Sequence, residues 1–236
     1  MPEHEDRPAR PERIEFYFDV MCPYCYQSSK WVRTVREQTG LHIDWRFFSL
    51  EEINREEGKK HPWERDWSFG WSQMRIGALV RRESMDAVDR WYEAVGRAFH
   101  EDARPTHDPI VQREVLTEAG FDPDVLAQAI ADPTTTDEVA ADHRRVVADH
   151  GAFGVPTIVF PVDGDPIGQA LYQQLVPAPE GPAAVELFDL LVAFNRFPGL
   201  YEVNRPKVDA DIRLVAERFA PYLTARSWRT IENPTP

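Results

Sequence analysis

The sequence predicts an α/β protein built in the order β-α-β, then a helical insertion, then β-β-α. Three observations predict it. An aromatic, β-branched run, Ile14–Phe18, leads straight into a Cys22-Pro23-Tyr24-Cys25 pair at a helix start. The stretch 63–151 is helical in pattern throughout and far too long for a loop. Strand character returns only at Thr157-Ile158-Val159-Phe160, with more helix behind it.

After the first strand, residues 23–38 read as a helix with Trp31, Val32 and Val35 inward, stopped at Gly40. His42–Leu50 alternates imperfectly and reads as a second strand, parallel to the first through a right-handed crossover. In the insertion, Met85, Val88, Tyr92, Val95 and Phe99 recur at helical spacing and define one buried face. Asp108-Pro109 and Asp122-Pro123 each read as an N-cap ahead of a proline in the first turn. Thr135 and Glu138 read as a capping box, and Gly151 as the stop of that helix. Asp163-Gly164 signals a turn, followed by a short strand over 167–172. A helix over 182–195 and a last one over 207–223 follow, the latter with Val208, Ile212, Val215, Phe219 and Tyr222 on one face. The domain boundaries are a disordered arm at 1–12, a core domain of 13–62 and 152–225, an inserted helical subdomain at 63–151, and an irregular tail at 226–236.

Hydrophobic residues make up 42% and charged ones 28% of the 236 residues, the balance of a globular domain rather than a disordered chain. The formal net charge of −13 repels nucleic acid and anionic lipid, so neither is an expected partner. There is no apolar run long enough for a transmembrane helix. The start, Met1–Arg13, is charged and Pro-rich and does not read as a secretory signal, so a cytoplasmic location is expected.

A Cys-x-x-Cys at a helix start is a redox device. The first sulfur sits by the unpaired N–H groups and positive end of the helix, which favours the thiolate and makes Cys22 the attacking sulfur. Cys25 lies one turn further in, where it attacks a mixed disulfide on Cys22 and releases the partner. Pro23 presets the first turn, and Tyr24 and Tyr26 are expected to shape the apolar surface around the sulfurs. A zinc site needs about four ligands, and with no second Cys pair no metal site is expected. A chance, inert thiol pair is the remaining alternative. Neither a Gly-x-Gly-x-x-Gly nor a Walker loop is present, so no bound cofactor is expected and electrons must come from a thiol. The second signal is Gly154-Val155-Pro156-Thr157, immediately before an apolar strand; its proline is either an ordinary trans residue or cis.

Taken together, the Cys22-Pro23-Tyr24-Cys25 pair after an aromatic strand, the helical insertion and Gly154-Val155-Pro156-Thr157 resemble the DsbA family of thioredoxin-fold oxidoreductases over residues 13–223. That resemblance implies a thioredoxin-like domain over 13–62 and 152–225, and a cis-proline at Pro156 with the Val155 backbone facing the cysteines. Phe18-Asp19-x-x-Cys22-Pro23-x-Cys25 and the stretch Phe194–Glu202 are also similar to the cytoplasmic actinobacterial branch that includes mycothiol-dependent nitroreductases. Where that branch carries Trp between the cysteines, this chain has Tyr24. By position the resemblance implies that Asn54 and Trp63 border the substrate pocket. His100 ends the best amphipathic helix and either faces the thiolate or sits at the core edge. His143 reads as a packed core histidine; Trp63, Trp67, Phe69 and Trp71 as subdomain core; Glu51, Glu52, Glu56 and Glu57 as a solvated helix start.

The expected function is a cytoplasmic thiol–disulfide oxidoreductase cycling through a mixed disulfide. Its partner is a low-molecular-weight thiol, such as mycothiol, or a protein dithiol or disulfide. A related alternative is thiol-dependent reduction of a small electrophile, such as a nitro compound, in a pocket between the two subdomains. A third is a non-enzymatic redox-sensing module.

Overall fold

The computed structural model describes residues 9–162 and 164–226. Most of the expected arm and tail lies outside those residues, as does Asp163 of the expected turn. Where the arm is described it is not loose: Arg10 pairs with Asp189 (2.8 Å from Nη2), and the Glu12 carbonyl accepts from the His42 N–H at 2.8 Å.

The sheet is built first from local signals. β1 (Arg13–Phe18) is aromatic and buried over its last half. It leads to α1 (Pro23–Thr39), capped by Cys22, opened by Pro23 and closed by Gly40 at φ 76°, where a left-handed backbone favours glycine. β2 (His42–Phe47) returns parallel to β1 in the register Ile14 to Ile43 and Phe18 to Phe47. The strand expected over 42–50 stops at Phe47, because the next N–H groups leave the ladder. Phe48 N–H donates to the Phe18 carbonyl (2.9 Å), and the Ser49 hydroxyl caps the short α2 (Leu50–Ile53) by accepting from Glu52 N–H at 3.1 Å.

The insertion opens with a 3-10 turn (Pro62–Glu64) and holds five helices: α3 (Phe69–Arg81), α4 (Met85–His100), α5 (Pro109–Glu118), α6 (Val125–Ala131) and α7 (Pro133–His150). Asp108 caps α5 as expected. Two other starts differ. Asp122 closes a turn onto Asp124 N–H (2.8 Å), and α6 begins only at Val125. α7 begins at Pro133 under the cap of Asp132, whose carboxylate accepts from Thr134 N–H at 2.9 Å. Thr135 lies inside the helix, buried, and donates to the Ala129 carbonyl at 2.8 Å. An aspartate directly before a proline preorganised for the first turn outcompetes a threonine three positions later.

β3 (Thr157–Val162) lies antiparallel to β1, and β4 (Asp165–Tyr172) antiparallel to β3, giving the order β2-β1-β3-β4. α8 (Pro182–Phe194) packs on α1, where the buried Trp31 indole donates to the Ala184 carbonyl at 2.8 Å. This is the β-α-β … β-β-α thioredoxin fold, with the insertion packed against β2 through α4 and α7. α9 (Asp209–Ala225) packs on α4. Its expected buried face is buried only near its end: Val208 and Ile212 are 63% and 54% exposed, whereas Tyr222 packs edge-on against Phe99. Only the last turns reach α4. Among the described residues no helix is long and apolar enough to cross a membrane.

The insertion meets the sheet at close quarters. A Cβ at Gly77 on α3 would lie 2.6 Å from the Trp91 ring and 2.9 Å from the Phe47 ring, both fully buried. Gly77→Ala is therefore expected to destabilise the protein by about 1–3 kcal/mol despite alanine's better helix propensity, read as a lower urea midpoint at unchanged slope.

Candidate active site

The turn from β1 into α1 sets the sulfurs. Cys22 N–H donates to the Asp19 carbonyl at 3.0 Å, and Cys22 Sγ accepts from Cys25 N–H at 3.4 Å, so the sulfur itself is the cap of α1. Both cysteines are free thiols. The Cys22 thiol donates to the Val155 carbonyl across 3.7 Å. Val155–Pro156 is a cis bond, and Thr157 Oγ1 donates to the Gly154 carbonyl at 2.8 Å, holding this loop against the pair. A second cis bond, Val176–Pro177, had no counterpart in the sequence reading.

The two sulfurs differ in setting. Cys22 keeps 7% exposure and opens into a cavity; Cys25 is fully buried. Burial pushes the Cys25 thiol well above its ordinary range, the Cys22 sulfur adds to the rise, and a hydrogen bond from the Asp19 backbone opposes it.

The cavity over Cys22 measures about 410 Å³. Its walls are the rings of Tyr24, Phe153, Tyr172 and Phe219, with the amides of Asn54 and Gln174 at the rim. Tyr24 and Phe219 meet edge-on at 4.9 Å, and Phe153 and Tyr172 tilt together at 4.9 Å. Among the described residues the lining carries no charged side chain.

Of the residues singled out in the sequence, Cys22, Pro23, Tyr24, Asn54 and Val155 meet at this cavity. Trp63 lies at a separate hollow of about 310 Å³ with Glu52, His143 and Arg144, stacked on His61 at 4.3 Å. His100 lies beneath the Cys loop, buried between the rings of Tyr26 and Tyr222, and its Nε2 donates to the Val20 carbonyl at 3.0 Å. Burial pushes it down to about 4, so the ring is neutral at physiological pH. His143 is buried and its Nδ1 accepts from Ser49 N–H at 3.2 Å. Glu51 and Glu52 are tied rather than merely solvated: Glu51 accepts from Ser68 Oγ at 2.7 Å, and Glu52 pairs with His61 at 2.9 Å.

The sequence reading assigned no role to Asp19, Phe153, Tyr172, Gln174 or Phe219. Asp19 had a signal: an acid ends an otherwise apolar strand, and a buried acid is the informative exception in a core. The others arrive from the loop before β3, from the end of β4 and the residues just past it, and from α9, and only the fold brings them together.

A model of the Rv2466c-like family, described as mycothiol-dependent nitroreductase Rv2466c, matches residues 21–205. Uncharacterized protein Rv2286c of Mycobacterium tuberculosis (strain ATCC 25618 / H37Rv) is 50% identical over 219 residues, 92% of each chain. Among solved structures, a probable DsbA oxidoreductase, SCO1869, from Streptomyces coelicolor superposes with a TM-score of 0.56 at 20% identity, over 84% of this chain and 94% of its own. The cytosolic disulfide reductase DsbM from Pseudomonas aeruginosa gives 0.51 at 15% identity, over 78% and 98%. Alpha-DsbA1 of Wolbachia pipientis gives 0.53 at 13% identity, over 83% and 95%. At those identities the structural neighbours establish the fold.

Proposed function

The chain belongs to the Rv2466c-like family, that of the mycothiol-dependent nitroreductase Rv2466c, and from that premise we propose that it is a thiol-dependent reductase of small molecules, working through a mixed disulfide on Cys22. The observation that carries this reading is the Cys22 sulfur at a cavity of about 410 Å³ with aromatic walls, amide rim and no charged lining among the described residues. Such a space suits a planar, uncharged electrophile better than a peptide segment.

The electrons balance in two halves. Cys22 and Cys25 give up two electrons and two protons and close to a disulfide. The substrate takes them, a nitro group becoming a nitroso group and water. One molecule of low-molecular-weight thiol, mycothiol in the family's own description, then attacks Cys22 and frees Cys25 as a thiol. A second attacks the mixed disulfide, leaves as the oxidised thiol dimer and restores Cys22.

Protein disulfides are the second reading. The Val155 carbonyl beside Cys22 favours it, because a backbone acceptor in the cavity lining next to the sulfur can also receive an extended chain. Turnover separates the two, and separates both from a non-enzymatic sensor. With mycothiol as sole electron source, kcat/KM for a nitroaromatic is expected to exceed that for the disulfides of insulin by about tenfold or more. Multiple turnovers on insulin with none on the nitroaromatic would reverse the assignment.

A further inference from the structure

We propose that Phe153 and Tyr172 form the surface on which an aromatic substrate stacks as it approaches Cys22, and that this pair sets a preference for aromatic over aliphatic substrates. This deepens the reductase reading above and rests on it. Both rings line the cavity into which Cys22 opens. Their role is specificity: they select the molecule presented to the sulfur and take no part in the electron transfer.

Exposure singles the pair out. Among the described residues four rings wall the cavity, and two of them are already engaged: Tyr24 and Phe219 are half-buried and meet edge-on, their planes at 87°. Phe153 is 70% exposed and Tyr172 40%. Their planes tilt by 50° with centroids 4.9 Å apart, so neither ring buries the other. A flat molecule can lie on the bare surface of either.

The bare rings are also held in place, which separates them from an incidental surface aromatic. Phe153 sits between two fixed points. Ahead of it, the Gly151 and Ala152 N–H groups close α7 on the Val147 and Val146 carbonyls at 3.0 and 3.3 Å. Behind it, the Gly154 carbonyl accepts from Thr157 Oγ1 at 2.8 Å, and the Val155 carbonyl accepts from the Cys22 thiol. Tyr172 ends β4 opposite Thr157, and the next residue, Gln173, donates its N–H to the Pro156 carbonyl at 3.2 Å. The Tyr172 hydroxyl accepts from Gln174 Nε2 at 2.5 Å. The loop backbone passes beside that ring: a Cβ on Gly154 would lie 3.4 Å from it. Rings positioned in this way lose little freedom when a ligand stacks on them, so the contact is converted into affinity. The rest of the lining offers amides and no charged side chain among the described residues, which leaves ring contact as the main source of discrimination.

The test presents the reduced full-length protein with an aromatic disulfide, dipyridyl disulfide, and an aliphatic one, hydroxyethyl disulfide. In each case Cys22 Sγ bonds to one sulfur and the other leaves as a thiol, and the rate is read by acid quench and intact mass. In Phe153→Ala the rate constant for the aromatic disulfide is expected to fall about five- to tenfold, while that for the aliphatic one stays within about twofold. Phe153→Leu should fall as far as the alanine variant, Phe153→Tyr should stay near the wild type, and Tyr172→Leu should shift the ratio in the same direction. In turnover with mycothiol and a nitroaromatic, the Phe153→Ala loss should appear in KM with kcat nearly unchanged. Equal losses on both disulfides overturn the proposal, and so does a wild-type ratio in Phe153→Leu, which would make apolar bulk rather than a ring the requirement. A Phe153→Ala loss that iodoacetamide alkylation of Cys22 shares overturns it too, because the sulfur and not substrate selection would have changed. A wild type that turns over no nitroaromatic sinks the reductase reading, and the proposal with it; a working wild type whose ratio survives Phe153→Ala sinks the proposal alone.

Discussion

Cys22→Ser is expected to lose thiol-dependent turnover by about a thousandfold or more, because a serine hydroxyl offers almost no alkoxide at neutral pH and no sulfur for a mixed disulfide. The substitution is clean for a structural reason. Cys22 caps α1 by accepting from the Cys25 N–H, and serine is among the preferred residues at that position. The fold should therefore survive, with a melting temperature close to the wild type, while the chemistry disappears. Activity with mycothiol and a nitroaromatic, measured beside the melting curve, checks both halves. Full turnover in Cys22→Ser would place the active site elsewhere.

Asp89→Ala is the largest expected loss of stability. Asp89 on α4 accepts from Arg33 Nε and from Arg36 Nη1, each at 2.7 Å, and so holds the insertion onto α1. The Arg33 side chain is 8% exposed and lies over the rings of Trp45 at 4.9 Å and Tyr92 at 5.3 Å. Removing the carboxylate leaves a buried guanidinium without its carboxylate partner, which costs about 3–5 kcal/mol. For a protein of this size the melting temperature should fall by about 10 °C. Arg33→Met combined with Asp89→Leu should recover most of that loss, because replacing a whole buried pair by apolar groups is often neutral. A drop in the single variant below about 1 kcal/mol would show that the pair contributes no more than a surface contact.

What was legible in the sequence is what is local. The strand into the Cys loop, Pro23 in the first helical turn, Gly40 at the stop and the helical pattern between the second and third strands are each specified by neighbours in the chain, and each stands in the structure. The errors fall where a second, nearby signal competed. Asp132 beside Pro133 took the helix start from Thr135, and the Ser49 cap ended the second strand before Leu50. The site divides in the same way. Cys22, Pro23 and Tyr24 come from one turn, but the cavity needs Phe153, Tyr172 and Phe219 from segments far along the chain. The two N–H groups that hold the Asp19 carboxyl illustrate the limit: Met21 is two residues away, and Leu50 is reached only through the fold. The last helix shows the converse. Its apolar spacing was real, yet Val208 and Ile212 remain exposed, because periodicity does not say how far along a helix a partner extends.

The most direct test of the central claim is the intact mass of Cys25→Ser after turnover under non-reducing conditions. Cys25 is buried, and in the proposed cycle it acts only after Cys22 has reacted, so removing its sulfur is expected to leave attack in place and block closure. The account predicts an adduct on Cys22 with the mass of the thiol or substrate supplied, released by a strong reductant. An unmodified protein that turns over without any adduct on Cys22 would contradict it.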